Sequence, residues 1–222
     1  MAESPLKLLM VASEAAPFAK TGGLADVVGS LPPALHALGH DVRLIIPWYR
    51  AVRKATGNLR AGRKKLAVPM GGRVYQVSWR TGENQGVPVY FLDYPEFYDR
   101  SGLYGERGQD YSDNAERFGM LSRAALELAR QIDFAPDVIH AHDWQTGLVP
   151  AFIKMREPRP KTVFTIHNLA YDGLFSHGDF NALMLPPEWW SPEHVEFYGG
   201  FSMLKSGLVF SDQVTTVSPN YA

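Results

Sequence analysis

The chain has 222 residues, with 22 Lys and Arg against 23 Asp and Glu, a formal net charge of −1. That balance removes any global electrostatic case for nucleic acid or an anionic membrane. The absence of cysteine removes disulfides and thiolate metal sites, and 45% apolar residues with no run of about 18 in a row is the composition of a soluble globular chain without a membrane span.

The start, MAESPLKLLMVASE, has no basic segment before its apolar run, so no signal peptide is read and the default expectation is a cytoplasmic protein. The run LKLLMVASE (6–14) is short and continuously apolar, as in a strand buried on both faces. After the loop AAPFAKTGG, apolar residues fall at Leu24, Val27, Val28, Leu31, Leu35 and Leu38, which is helical spacing ending at Gly39. Pro32 and Pro33 lie inside this helix, and a kink or break is expected near Leu31. DVRLIIPW (41–48) reads as a second buried strand and completes a βαβ unit.

The middle alternates like antiparallel or mixed strands in KKLAVP, RVYQVSWR and VPVYFLD, with turns at Gly71-Gly72 and around Gly82 to Gly86. Arg63-Lys64-Lys65, the longest basic cluster, reads as a solvated loop. Residues 98–110 read as a Gly-rich polar loop. Residues 112–132 form an amphipathic helix capped by Ser112 or Asp113. PDVIHAH (136–142) is a third parallel strand, 145–155 a helix, 161–168 a fourth strand, 196–212 a helix and 213–218 a strand. This alternation predicts one α/β domain, a doubly wound, mostly parallel Rossmann-like sheet with helices on both faces. Ser218-Pro219 reads as the start of a further helix, and the expectation is a domain cut from a longer protein.

Ligands of such sheets bind beyond the carboxyl ends of the strands. Polar residues crowd those ends: Glu14 to Gly23, His140 to Trp144, and His167 to Gly173. Gly22 and Gly23 at a helix N-terminus, with Lys20 beside them, suit a phosphate or diphosphate. A tight turn with a solvated lysine is the plain alternative, since neither of the common phosphate-loop patterns is present. Asp143 can accept from sugar hydroxyls and Trp144 can face a sugar ring, with core packing the alternative for Trp144. His167 can donate to a hydroxyl or phosphate. Side chains alternate along a strand, and on that ground only one of His140 and His142 is expected to face a given site. No Asp-x-Asp pair is present, so no metal site and no cofactor are expected.

The stretches VASEAAPFAKTGGLADVVGSLPPAL, HAHDWQTGLVP, FTIHNLAYDG and TTVSPNYA, in this order, resemble the N-terminal domain of bacterial glycogen synthases and plant starch synthases, from Leu6 to Ala222. The resemblance implies a hexosyltransferase of the two-domain GT-B type. Such enzymes move glucose from ADP-glucose or UDP-glucose to the non-reducing 4-OH of an α-1,4-glucan, with retention and without a metal. It implies Lys20 against the nucleotide-sugar, Gly22 and Gly23 against its phosphates, and Asp26 beside the glucose and acceptor. It also implies Asp143 and Trp144 near the donor glucose or acceptor, with Asn168 beside them, and His167 against the donor glucose. The C-terminal nucleotide-binding domain that carries the diphosphate-neutralising groups is absent from these 222 residues, so the chain alone is expected to be inactive. A stand-alone glucan- or nucleotide-sugar-binding module is the competing reading, and a metal-dependent hydrolase using the histidines a third.

Overall fold

A computed structural model describes residues 4–57 and 59–218 of the chain. Pro219, the second half of the expected Ser218-Pro219 helix start, lies outside the described residues.

Fourteen strands and seven α-helices, with short 3-10 helices at Trp144–Thr146 and Pro187–Trp189, follow in order among the described residues. The first unit is β1 (Lys7–Val11), α1 (Gly23–Ala37) and β2 (Asp41–Pro47), then α2 (Arg50–Thr56). An antiparallel excursion follows: β3 (Arg60–Ala61), β4 (Leu66–Met70), β5 (Arg73–Asn84) and β6 (Val87–Asp93). Next come α3 (Pro95–Tyr98), the small hairpin β7 (Gly105–Glu106) and β8 (Gln109–Asp110), and the long α4 (Asn114–Gln131). The chain then runs through β9 (Val138–His142), α5 (Leu148–Lys154), β10 (Lys161–Ile166), β11 (Leu174–Phe175) and α6 (His177–Ala182). It closes with β12 (Glu196–Phe197), β13 (Gly200–Ser202), α7 (Met203–Phe210) and β14 (Gln213–Thr216).

The main sheet has the order β14-β10-β9-β1-β2-β6-β5-β3, with β4 also paired to β5. From β14 to β6 every pairing is parallel, while β5 runs antiparallel to β6, β3 and β4. Leu9, Met10 and Val11, and likewise Leu44, Ile45 and Ile46, are all sealed from solvent. Neighbouring residues point to opposite faces, so both faces of the central strands are covered. β4 instead alternates buried and exposed, and its Pro69 sits where a missing donor costs nothing. From β1 the chain goes to β2 on one side and returns to β9 on the other. The crevice between β1 and β9 is thus the topological switch point where such sheets bind ligands.

Three expectations from the sequence change. First, α1 runs unbroken from Gly23 to Ala37 through both prolines. Pro33 has no N–H for the carbonyl of Gly29, and Asn84 Nδ2 supplies a donor to that oxygen at 2.9 Å. Second, Asp113 precedes α4 but makes no side-chain cap. Its carboxylate is held by Arg100, at 2.7 and 2.5 Å. Third, the helix expected over 196–212 begins only at Met203. Tyr198 and Gly199 both take positive φ, 48° and 79°, and make a two-residue turn between β12 and β13. Ser202 then caps α7 by accepting from the amide of Lys205 at 3.1 Å.

Candidate functional site

β1 runs on into a buried segment, and Glu14 is 2% exposed within it. A carboxylate buried this deeply needs donors. It has the Thr21 hydroxyl at 2.6 Å, the Thr21 amide and the Tyr104 hydroxyl. Tyr104 also bonds Ser13 Oγ at 2.8 Å. Glu14 therefore stitches the 15–21 loop and the 98–110 loop to the end of β1.

That anchoring sets up the start of α1. Gly22 is its N-cap in an extended conformation, and no side chain caps the first turn. A Cβ at Gly22 or Gly23 would find nothing within 4 Å. The start of α1 thus borders open space, where the helix dipole favours an anion. Gly22 and Gly23 line the cavity described below, as the sequence suggested. Lys20 and Asp26 do not line it. They pair with each other, Lys20 Nζ donating to both Asp26 oxygens at 2.6 and 2.8 Å.

The ends of β9 and β10 form the opposite wall. Asp143 follows β9 with φ 56° and ψ 177°, a conformation that costs a non-glycine residue energy and is tolerated where surroundings over-determine it. The surroundings are backbone: its amide donates to Thr165 O at 2.9 Å, and its Oδ1 accepts from the amides of His167 at 2.7 Å and Asn168 at 3.3 Å. Burial pushes its carboxyl up to about 6, against the pull of those two amides, and the Glu14 charge adds to the rise. Oδ2 makes no hydrogen bond among the described residues and is available to a ligand hydroxyl. Trp144 is only 9% exposed. Its ring packs edge-on to Phe118 at 5.0 Å and under Gly173, whose φ of 58° brings backbone against the indole. Trp144 is mainly a core residue that shows one edge to the cavity.

The two strand histidines correct an expectation. His140 and His142 are two apart, and a period of two puts them on one face. Their rings stack at 4.1 Å. His140 Nε2 bonds Thr165 Oγ1 at 2.6 Å, and His142 Nδ1 lies 3.1 Å from His167 Nε2. Burial holds His140 and His167 down at about 4 and His142 well below its usual range. All three are neutral at physiological pH. Among the described residues no group of three or more His, Asp or Glu is arranged to hold a metal ion.

These pieces enclose a cavity of about 650 Å³ at the switch point, lined by Glu14, Gly22, Gly23, Tyr104, Asp143, Trp144, His167 and Asn168 among others. A larger and more open cavity, about 820 Å³, lies on the antiparallel edge by Arg60, Lys64, Trp79 and Arg130, and holds none of these groups. Reading the sequence missed the parts of Glu14, Thr21 and Tyr104. An acid closing a buried apolar run was a usable signal for Glu14; nothing local marks Tyr104, which the 98–110 loop delivers from far along the chain.

A helix N-terminus open to the cavity thus faces a carboxylate and a histidine fixed by backbone, at the switch point of a mostly parallel α/β domain. The sequence pattern described as the starch synthase catalytic domain matches residues 7–222. The chain belongs to that family. It is 48% identical to a glycogen synthase of Syntrophotalea carbinolica and 43% identical to glycogen synthase 2 of Geobacter sulfurreducens, in each case over 97% of this chain and 46% of the relative. Among solved structures, the catalytic domain of starch synthase IV from Arabidopsis thaliana, bound to ADP and acarbose, superposes with a TM-score of 0.86 at 34% identity, over 98% of this chain and 46% of that one. The chain therefore spans a little under half the length of these relatives, and its fold is the N-terminal half of the GT-B glycosyltransferase architecture. No described helix is long and apolar enough to cross a membrane.

Proposed function

We propose that this chain supplies the acceptor side and one wall of the donor site of a retaining glucosyltransferase, which moves glucose from ADP-glucose to the 4-OH of an α-1,4-glucan. The observation that carries it is the cavity at the switch point, with the Gly22-Gly23 helix start on one wall and the Asp143-anchored His167 loop on the other. The solved relative carries ADP and acarbose, a nucleotide and a glucan-like sugar, which supports both ligand classes. The free amides of α1 cradle a phosphate, and Lys20 exchanges Asp26 for it. Asp143 Oδ2 accepts from a sugar hydroxyl, and His167 lies against the donor glucose with its carbonyl near the developing positive charge. Asn168 and the edge of Trp144 complete that wall. No metal or cofactor enters this reading.

On this reading the groups that neutralise the departing diphosphate lie in the half of the relatives that this chain does not span, and losing even one such donor costs on the order of a hundredfold or more. The 222 residues alone are therefore read as inactive. The test is incorporation of labelled glucose from ADP-glucose into glycogen primer, by the chain alone and by a hybrid in which it replaces the matching half of the Syntrophotalea carbinolica relative. Transfer by the hybrid and none by the chain is expected. A folded hybrid that transfers nothing while the intact relative does would reject the proposal, and glucan binding by it would favour the binding-module reading.

A further inference from the structure

His142 is fully buried, yet only one of its two ring nitrogens has a partner. Nδ1 meets His167 Nε2 at 3.1 Å, while Nε2 has none among the described residues. One hydrogen must lie between the two rings, and which ring carries it decides what His167 shows to the cavity.

Suppose His167 donates through Nε2. His142 then accepts at Nδ1 and, being neutral, carries its own hydrogen on Nε2. That puts an orphaned N–H in the core, a group native structures seldom leave unpaired. Suppose instead that His142 donates through Nδ1. Its Nε2 is then a bare lone pair, the more tolerable orphan. His167 accepts at Nε2, and its only hydrogen sits on Nδ1. The buried neutral state of both rings is what makes these the two alternatives. His167 Nδ1 makes no hydrogen bond among the described residues, and His167 is among the residues that line the cavity.

From this we infer that His142 is a positioning residue that fixes His167 as the Nδ1–H tautomer, so that His167 offers the cavity a hydrogen-bond donor and reads an oxygen lone pair on its ligand. The general rule is that the partner of one imidazole nitrogen sets the protonation of the other. Here the partner is a second imidazole, itself locked by burial and by stacking on His140. With the amide of His167 held by Asp143, both backbone and ring are fixed before a ligand arrives. The tautomer follows from the packing alone; its use on a sugar oxygen rests on the proposed function.

Two measurements keep those parts separate. Long-range proton–nitrogen NMR of the 15N-labelled chain at neutral pH reads the tautomers directly. Protonated-type Nδ1 and bare-type Nε2 shifts are expected for both His142 and His167; an Nε2–H signature at His167 overturns the inference whatever the enzyme does. In the hybrid, His142→Leu is expected to lower kcat about tenfold, the size of one neutral hydrogen bond, with donor KM changed little. His142→Asn, whose amide can still donate, is expected to restore most of it. Equal loss in both variants, with the expected tautomers intact in the wild type, would reject the catalytic use of the donor and leave the substrate class untouched.

Discussion

Asp143 and His167 are joined across two strand ends: a carboxylate after β9 accepts the amide that follows β10, at 2.7 Å. One oxygen thus builds the loop while the other remains for a ligand, and substitutions should separate the two duties. In the hybrid, Asp143→Asn keeps an acceptor for the amides and is expected to leave Tm within a few degrees while lowering transfer sharply. Asp143→Ala loses both and should also cost about 1.5–3 kcal/mol, the worth of a charge-assisted bond. That is roughly 3–10 °C in a chain of this size, read by calorimetry. Equal melting of the two variants would remove the loop-building role.

Lys20 and Asp26 pair in the open, with side chains 54% and 59% exposed. Exposed pairs contribute about 0–1 kcal/mol, so Lys20→Ala should barely move Tm. Its effect should appear on the donor: a tenfold to hundredfold rise in the apparent Michaelis constant, about 1.5–3 kcal/mol, with the glucan constant little changed. Lys20→Arg should rescue in part, since a planar fork replaces a point charge poorly. His167→Ala should instead lower turnover more than donor affinity. Steady-state kinetics on the hybrid decide; a donor constant indifferent to Lys20 ends the phosphate-cradle reading.

Acid should loosen the fold before carboxylates elsewhere protonate. His140 and His167 are held near 4 and His142 lower still, against an ordinary 6.5. Between those values the unfolded chain binds more protons, so stability is full above 6.5 and is lost as pH falls toward 4. Asp143, raised from 3.8 to about 6, acts in the opposite sense, binding more protons when folded and favouring the fold on the acid side. Three groups against one give a net fall in Tm from pH 6.5 to 4.5, and Asp143→Asn should make it steeper. A flat profile in thermal melts would contradict the burial of the neutral histidines.

Asn84 does for α1 what Pro33 cannot. Removing it in Asn84→Ala leaves the Gly29 carbonyl buried and unpaired, at a cost of about 1–3 kcal/mol. Pro33→Ala restores an amide in register with that carbonyl. The double variant is therefore expected to recover most of the loss, by urea titration; simple additivity would show that the side-chain bond is not what carries the helix through its prolines.

Much of this was legible from one-dimensional pattern. Buried strands show as unbroken apolar runs, as in LLMV and LIIP, and glycines at a strand-to-helix junction mark one wall of the cavity. What stayed hidden depends on contacts distant in sequence. Pro32 and Pro33 read as a break because the donor that repairs the helix lies in β5, some fifty residues away. Asp113 read as a cap because Arg100 could not be seen competing for its carboxylate. The hairpin at Tyr198-Gly199 was masked by apolar spacing that suits a helix, although its paired glycines were the sign of a turn. His140 and His142 stand two apart, and the period of a strand puts both on one face, where their rings stack.

The place of ligand binding can be measured on the chain itself. Titrating 15N-labelled chain with millimolar ADP, and in a parallel series with ADP-glucose, followed by amide shifts, addresses each part of the cavity by residue. Saturable shifts at Gly22, Gly23, His167 and Asn168 are expected, with those of Gly22 and Gly23 following the nucleotide and those of His167 and Asn168 the sugar. Saturable shifts confined to the Arg60–Lys65 and Trp79 region, with the switch-point residues unmoved, would contradict the assignment of the site.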